Sequence, residues 1–383
     1  MRAACWSLAL VCALARPGFS AIRPKFILDY SSWHATHIVL VTTTPADNVF
    51  EVIESWKGDL RVGEQLLVPE LQPARNALPI SRYPKSWPGG VGVSEMIPRQ
   101  PPGSRMILFL KTAAGEQANA DGTARAEWKS PDIIGDIKAS VVWIDGDHLY
   151  RFTQPINPGP SVLSELPGSE ATIRKRVEEI AAIQEDMKAA LSFKDGSERA
   201  GRLKPYVNSQ ILPVQQFALE QLGQSGPAAV SAIREMLDDP AYADEASELV
   251  KALVLAGGRT VGEELNRRLR QDLAFWKSTG PSLSQGWWNE DARIHAPLRE
   301  RYSQTYQLIL GLQETRYPPA LETATELRDF WRSLPQLNDP SGLNEIADEC
   351  NKLIQRLRSD RDQHQPWEFG YSRSALLSAR TTA

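Results

Sequence analysis

Cysteine and histidine are scarce in this chain, at 3 and 5 of 383 residues. Two of the thiols, Cys5 and Cys12, lie close to the N-terminus, so Cys350 stands alone in the rest of the chain. One thiol forms no internal disulfide, which excludes a disulfide-stapled scaffold and leaves folding to a hydrophobic core. A basic surplus is also missing. Lys+Arg number 43 against 47 Asp+Glu, for a net charge of −4, so no excess of cations is available to neutralise nucleic-acid phosphates. Beyond the N-terminus, no apolar run approaches the roughly 18 residues of a membrane helix, so no integral membrane segment is expected. Walker loop, Gly-x-Ser-x-Gly elbow, His-Glu-x-x-His pair and dinucleotide fingerprint are all absent from the sequence.

The first residues, MRAACWSLALVCALARPGFSAIRPKF, combine Arg2, an apolar stretch from Ala3 to Ala15, and small residues after it. That pattern predicts an export signal over 1–20, cleaved after Ser20 or after Ala15. Cleavage after Ser20 would remove Arg2 and Arg16 but no acidic residue, and the mature chain would be more acidic. The expected location is therefore periplasmic or extracellular.

A β-rich domain is predicted over 21–168. Residues 37–44 and 49–56 are rich in β-branched and apolar types, and Pro45-Ala46-Asp47-Asn48 separates them. Residues 65–68 suit a third strand, and the apolar run from Arg105 to Lys111 suits a central one. Asp145-Gly146-Asp147 joins two further strands, 140–144 and 148–152, in a hairpin. Short strands with long connections suggest a small, partly open barrel or sandwich. Residues 72–103 carry Pro73, Pro79, Pro84, Pro88, Pro98, Pro101 and Pro102, and read as a surface insertion.

His37–Thr42, then Phe50 to Trp56-Lys57-Gly58, then Gly63 with Leu66 and Val68, then Gly103 to Leu110, resemble the netrin-like module. That module is the OB-type barrel shared with tissue inhibitors of metalloproteinases. The resemblance covers about the first third of the chain and implies a small OB-like or open barrel. Inhibitory members use an N-terminal cysteine and several disulfides; here the mature chain would begin near Ala21 with no cysteine in the barrel. The resemblance therefore implies the fold and not the inhibition.

From Ser169 the periodicity becomes helical. Ile173, Val177, Ile180, Ile183, Met187 and Leu191 share one face, and Lys194-Asp195-Gly196-Ser197 ends the helix. Further helices are predicted near 198–207, 211–224, 227–238, 242–256, 260–277, 297–315, 319–333 and 341–358. Two helix pairs repeat. Ala218-Leu219 and Leu222-Gly223 align, shifted by 34, with Ala252-Leu253 and Ala256-Gly257, while Ile233 and Leu237 align, shifted by 32, with Leu265 and Leu269. The segment Leu222 to Pro240 is similar to bacterial HEAT-like repeats, which implies an all-α array of helical hairpins over 169–359. A loose tail is expected over 360–383.

Residues 279–296 read as a long loop carrying Trp287 and Trp288. Adjacent tryptophans there anchor a partner, protein or glycan, or plug the helical core from outside; plugging is the preferred reading. Other candidates carry less chemistry. His34 and His37 are spaced to point apart on a strand entry, and no Cys or acidic cluster completes a metal set. Glu51 and Glu54 face opposite ways on one strand. Asp145-Gly146-Asp147 lacks the other ligands of a calcium loop. Gly89-Gly90-Val91-Gly92 lacks a flanking strand and helix, and Cys350 fits a core position beside Ile346 and Leu353. The sequence thus predicts an α+β protein of two domains, with no catalytic, metal or cofactor residues assigned. Its expected role is to bind another protein through the helical array; a hydrolase of envelope polymers with a dispersed site and a barrel-based protease inhibitor are the alternatives.

Overall fold

The computed structural model describes residues 26–73, 75, 77, 79, 97–112, 128–129, 140–153, 162–283, 287, 292–334, 337 and 346–362. The predicted export signal over 1–20, most of the expected 72–103 insertion and the expected tail beyond Asp362 lie outside them. The chain divides into two compact units, Met1–Glu185 and Asp186–Ala383. The architecture is α+β: an antiparallel sheet first, then helices.

The first unit opens with α1 (Leu28–His34), followed by β1 (His37–Thr43), β2 (Val49–Lys57), β3 (Gln65–Leu67), β4 (Arg105–Thr112), β5 (Trp128–Lys129), β6 (Val141–Asp145), β7 (His148–Thr153) and β8 (Val162–Glu165). The strands lie in the order β3-β2-β1-β4-β6-β7-β8, with β5 also paired to β4. Of the expected OB-like or open barrel, closure is not found: β3 and β8 end the sheet without pairing to each other among the described residues, so the sheet is open.

Alternation along the strands feeds two cores. Val39, Val41, Met106, Leu108, Leu110 and Trp143 point into one cluster, which runs from Leu66 of β3 to Leu163 of β8. Ile38, Leu40, Ile107, Phe109, Val142 and Ile144 point into the other, where Phe26, Ile173 and Val177 cover them. A sheet buried on both faces needs strands that are apolar throughout, which is why β1 and β4 read as continuous runs rather than as alternations. The hairpin between β6 and β7 pairs Asp145 with His148 and places Gly146 at φ +60, where a two-residue turn favours glycine.

Ile173 and Val177 belong to α2 (Glu170–Ser192). This helix also holds α1 in place. Arg176 grips Asp29 with two bonds of 2.7 Å, and Gln184 Nε2 donates to the Trp33 carbonyl at 2.6 Å.

The second unit contains α3 (Gly196–Leu203), α4 (Leu212–Gln224), α5 (Val230–Asp238), α6 (Ala246–Gly257), α7 (Gly262–Thr279), α8 (Ala292–Thr315), α9 (Ala320–Ser333) and α10 (Ile346–Asp362). Helices α4, α6, α8 and α10 pack side by side in sequence, while α5 lies on α6, α7 on α8, and α9 on both α7 and α10. Close approach explains small residues on these helices. A Cβ on Gly223 of α4 would stand 2.7 Å from Leu255 of α6, and one on Gly311 of α8 would stand 2.7 Å from Val254. The aligned pairs Ala218-Leu219 and Ala252-Leu253 are both buried. The predicted loop over 279–296 is shorter than expected, because α8 already begins at Ala292 and carries Pro297 within it.

Candidate interaction groove on the helical region

The groove is built around α7, whose two faces do different jobs. Leu265, Leu269, Leu273 and Trp276 recur at helical spacing and are buried. Trp276 meets Trp331 at 5.2 Å, Trp287 at 6.3 Å and Phe275 at 5.2 Å between ring centroids, and its indole N–H donates to Thr305 Oγ1 at 3.0 Å. Asp272 is buried on the same face, paired with Arg301 of α8 and accepting from Thr305 Oγ1 at 2.8 Å. Burial outweighs these favourable partners and pushes the Asp272 carboxyl up to about 6.

One turn earlier, Arg268 ties α7 to the end of α5. Its side chain is 5% exposed; Nε binds Glu264 Oε1 at 2.6 Å and Nη2 binds Asp238 Oδ1 at 2.8 Å. Arg267 also bonds to Glu264, at 2.6 and 2.9 Å. The hydrogen bond from Arg267, aided by Arg268, holds the Glu264 carboxyl below its usual range despite partial burial. Glu263 and Glu264 occupy the first turn of α7, where the helix dipole favours negative charge.

The opposite face of α7 lines the groove. A depression of about 780 Å³ is bounded by Arg234, Thr260, Glu263, Asn266, Arg270, Gln271 and Tyr317, among others. Two adjoining depressions of about 710 and 400 Å³ share Arg270 and continue along α9 past Glu322 and Glu326. One wall exists because Gly262 has no side chain: a Cβ there would stand 2.7 Å from the Cβ of Tyr317. Arg270 Nε donates to Thr323 Oγ1 at 3.2 Å, and Lys277 pairs with Glu326.

The residues singled out by sequence fall elsewhere. Trp287 is 1% exposed and sits in the aromatic cluster with Trp276, so its indole packs as a core plug. Trp288, Gly89–Gly92 and His364 lie outside the described residues. Cys350 is buried on α10, and burial pushes its thiol up, away from a reactive thiolate. His148 Nδ1 lies 2.8 Å from Glu165 Oε1. Glu54 accepts the Trp56 indole N–H at 3.0 Å and pairs with Arg174, while Glu51 is exposed.

His34 and His37 do not converge. The chain is helical through His34 rather than entering a strand, so the two rings belong to different elements. His37 Nε2 meets Asp59 at 2.8 Å and its Nδ1 meets Thr36 Oγ1 at 3.0 Å. Gly58, at φ +89, leaves room for this ring: a Cβ there would lie 2.2 Å from His37 Cδ2. The His37 hydrogen bond holds the Asp59 carboxyl below its usual range. His34 stacks against Tyr30 with centroids 4.1 Å apart. Among the described residues, no group of three or more potential metal ligands occurs.

Burial, with Lys111 and Lys57 nearby, lowers His34 from 6.5 to about 4. Between those values the unfolded chain binds a proton that the folded chain refuses, so stability falls as pH drops through that window. Allowing for solvent screening of a ring that is only partly buried, about 1–2 kcal/mol is expected to be lost by the bottom of the window. Urea midpoints of wild type and His34→Gln, compared from pH 7 to pH 4, measure it. Parallel curves for the two proteins would exclude this contribution.

Arg234, Asn266 and Arg270 escaped the sequence reading because charged and amide residues on an amphipathic helix look like an ordinary solvated face. A signal was nevertheless present. The 32-residue shift that aligns Ile233 with Leu265 also aligns Arg234 with Asn266. Two positions that this shift aligns therefore line one groove.

Comparison of the chain with protein-family models, curated proteins and solved structures gave no match.

Proposed function

We propose that this chain is an exported, non-catalytic binding protein that recognises another protein through its helical region. The observation that carries the reading is the groove along α7 and α9, framed by helices stacked side by side. Stacked helical hairpins offer extended surfaces on which a partner is gripped at several points. On this reading the helical region is a HEAT-like array and the sheet is a relative of the OB/netrin-like module that has stayed open. The apolar stretch after Arg2 supports export, to the periplasm or the extracellular space. Neither nucleic acid nor a bilayer is the partner that this charge balance favours.

Site-specific photo-crosslinking in the full chain tests it. A photoreactive residue at Gln271, exposed on the groove face, is expected to capture a discrete protein adduct in the native envelope fraction. The same residue at Glu51, exposed on the sheet, serves as the control. Equal adducts from both positions, or none from Gln271, would count against recognition by the helical surface.

A further inference from the structure

The groove contains polar groups whose bonding is unfinished. Asn266 is 5% exposed and lines the groove, yet its Oδ1 has no hydrogen-bond partner among the described residues. Arg234, on the facing helix α5, lines the same depression, and its Nε is likewise buried without a partner. A buried polar atom left unmet costs about 1–3 kcal/mol, so a fold that retains two in one depression has a reason to supply them with an outside partner.

The charges narrow the choice. Arg267 and Arg268 are committed to Glu264, and Lys277 to Glu326. Arg234 and Arg270 make no ion pair among the described residues. Neither guanidinium is matched to a carboxylate there, although Arg270 Nε bonds Thr323, and each presents forked donors suited to one. Glu263 and Glu322 make no ion pair among the described residues but are exposed to solvent, so they tolerate an empty groove better than the partly buried Arg234 does.

We propose that this groove holds an extended acidic peptide segment, with Asn266 bonding its main chain and Arg234 and Arg270 taking its carboxylates. This rests on the protein-binding reading above and names the partner's chemistry. A carboxamide carries an acceptor and N–H donors side by side, the same pair a peptide unit presents in reverse. Its terminal torsion is soft, so the amide turns to meet the strand that arrives. From Glu263 to Lys277, α7 runs about 21 Å at 1.5 Å per residue, the length of about six extended residues at about 3.4 Å each.

The test is selection of a random dodecapeptide library on the full-length protein, followed by titration of the enriched synthetic peptides. Acidic peptides are expected, bound at least about tenfold more weakly by Asn266→Ala and by Arg270→Ala, and unaffected by Glu51→Ala. Arg270 is exposed, so Arg270→Glu keeps its fold and is expected to lose the acidic peptides. Enrichment of basic or uncharged sequences, or equal affinity across the Arg270 variants, would overturn the assignment. Peptides that bind regardless of Asn266 and Arg270, while Gln271 still crosslinks a protein, would reject this peptide chemistry and leave protein recognition standing. Failure of both experiments would reject the wider reading as well.

Discussion

Replacing Trp276 with alanine is expected to destabilise the helical region by about 3–5 kcal/mol, the cost of emptying a large aromatic site in a packed core. The indole is fully buried and shares its surroundings with Trp287, Trp331 and Phe275. Truncation leaves a cavity lined by rings that cannot collapse into it without leaving their own rotamers. Trp276→Phe separates packing from hydrogen bonding. It retains most of the aromatic volume but strands Thr305 Oγ1 without its indole donor, for an expected loss of about 1–2 kcal/mol. Denaturant titrations followed by far-UV circular dichroism measure both. A Trp276→Ala protein within about 1 kcal/mol of wild type would show that the cluster is not the centre of this core.

The second large effect concerns Asp272 and depends on pH. Its carboxyl is pushed from 3.8 to about 6 by burial, against the pull of Arg301, Thr305 and Arg268. In that window the folded chain binds a proton that the unfolded chain has already released, so this group's contribution to stability falls as pH rises. Two pKa units correspond to about 3 kcal/mol. Asp272→Asn removes the titration. The amide also donates to Thr305, as the protonated acid would, and leaves the hydroxyl proton for the Arg301 carbonyl 2.8 Å away. The stability of Asp272→Asn relative to wild type is therefore expected to climb by up to about 3 kcal/mol from pH 4 to pH 7. Urea midpoints at each pH give the difference curve, and a flat one would mean that Arg301 compensates the buried charge in full. Other groups titrate in the same range, His34 with the opposite sign, so only the difference between the two proteins isolates Asp272.

Most of the helical region was legible because burial there follows sequence period. Ile233, Leu265, Leu269 and Trp276 lie where helical spacing places them. The central strands were legible for the same reason: β1 and β4 are apolar on both faces, and both faces are covered. Helix α1 was not. Leu-Asp-Tyr-Ser-Ser-Trp-His is too short and too rich in weak helix formers to persist alone. It is held from a distance by Arg176, by Gln184 and by Lys57 Nζ, which donates to the Ser32 carbonyl at 2.8 Å. Such long-range bonds leave no local trace. Barrel closure was equally beyond reach, since it depends on whether β3 and β8 meet and nothing in either segment encodes the other's position. The groove falls between these cases. Its residues are individually unremarkable, and only the repeat that superimposes Arg234 on Asn266 links them before the fold is known.

The open sheet has one more consequence. Among the described residues its terminal strands are β3, with three residues, and β8, with four. An unpaired strand edge is a template on which another chain can add hydrogen bonds, and its danger grows with its length. Edges this short offer a newcomer only a few bonds before the backbone turns away, too few to repay the ordering of an incoming segment. Brevity of β3 and β8 thus gives the two terminal strands part of what closure gives a barrel: little invitation for another copy to pair with them strand to strand.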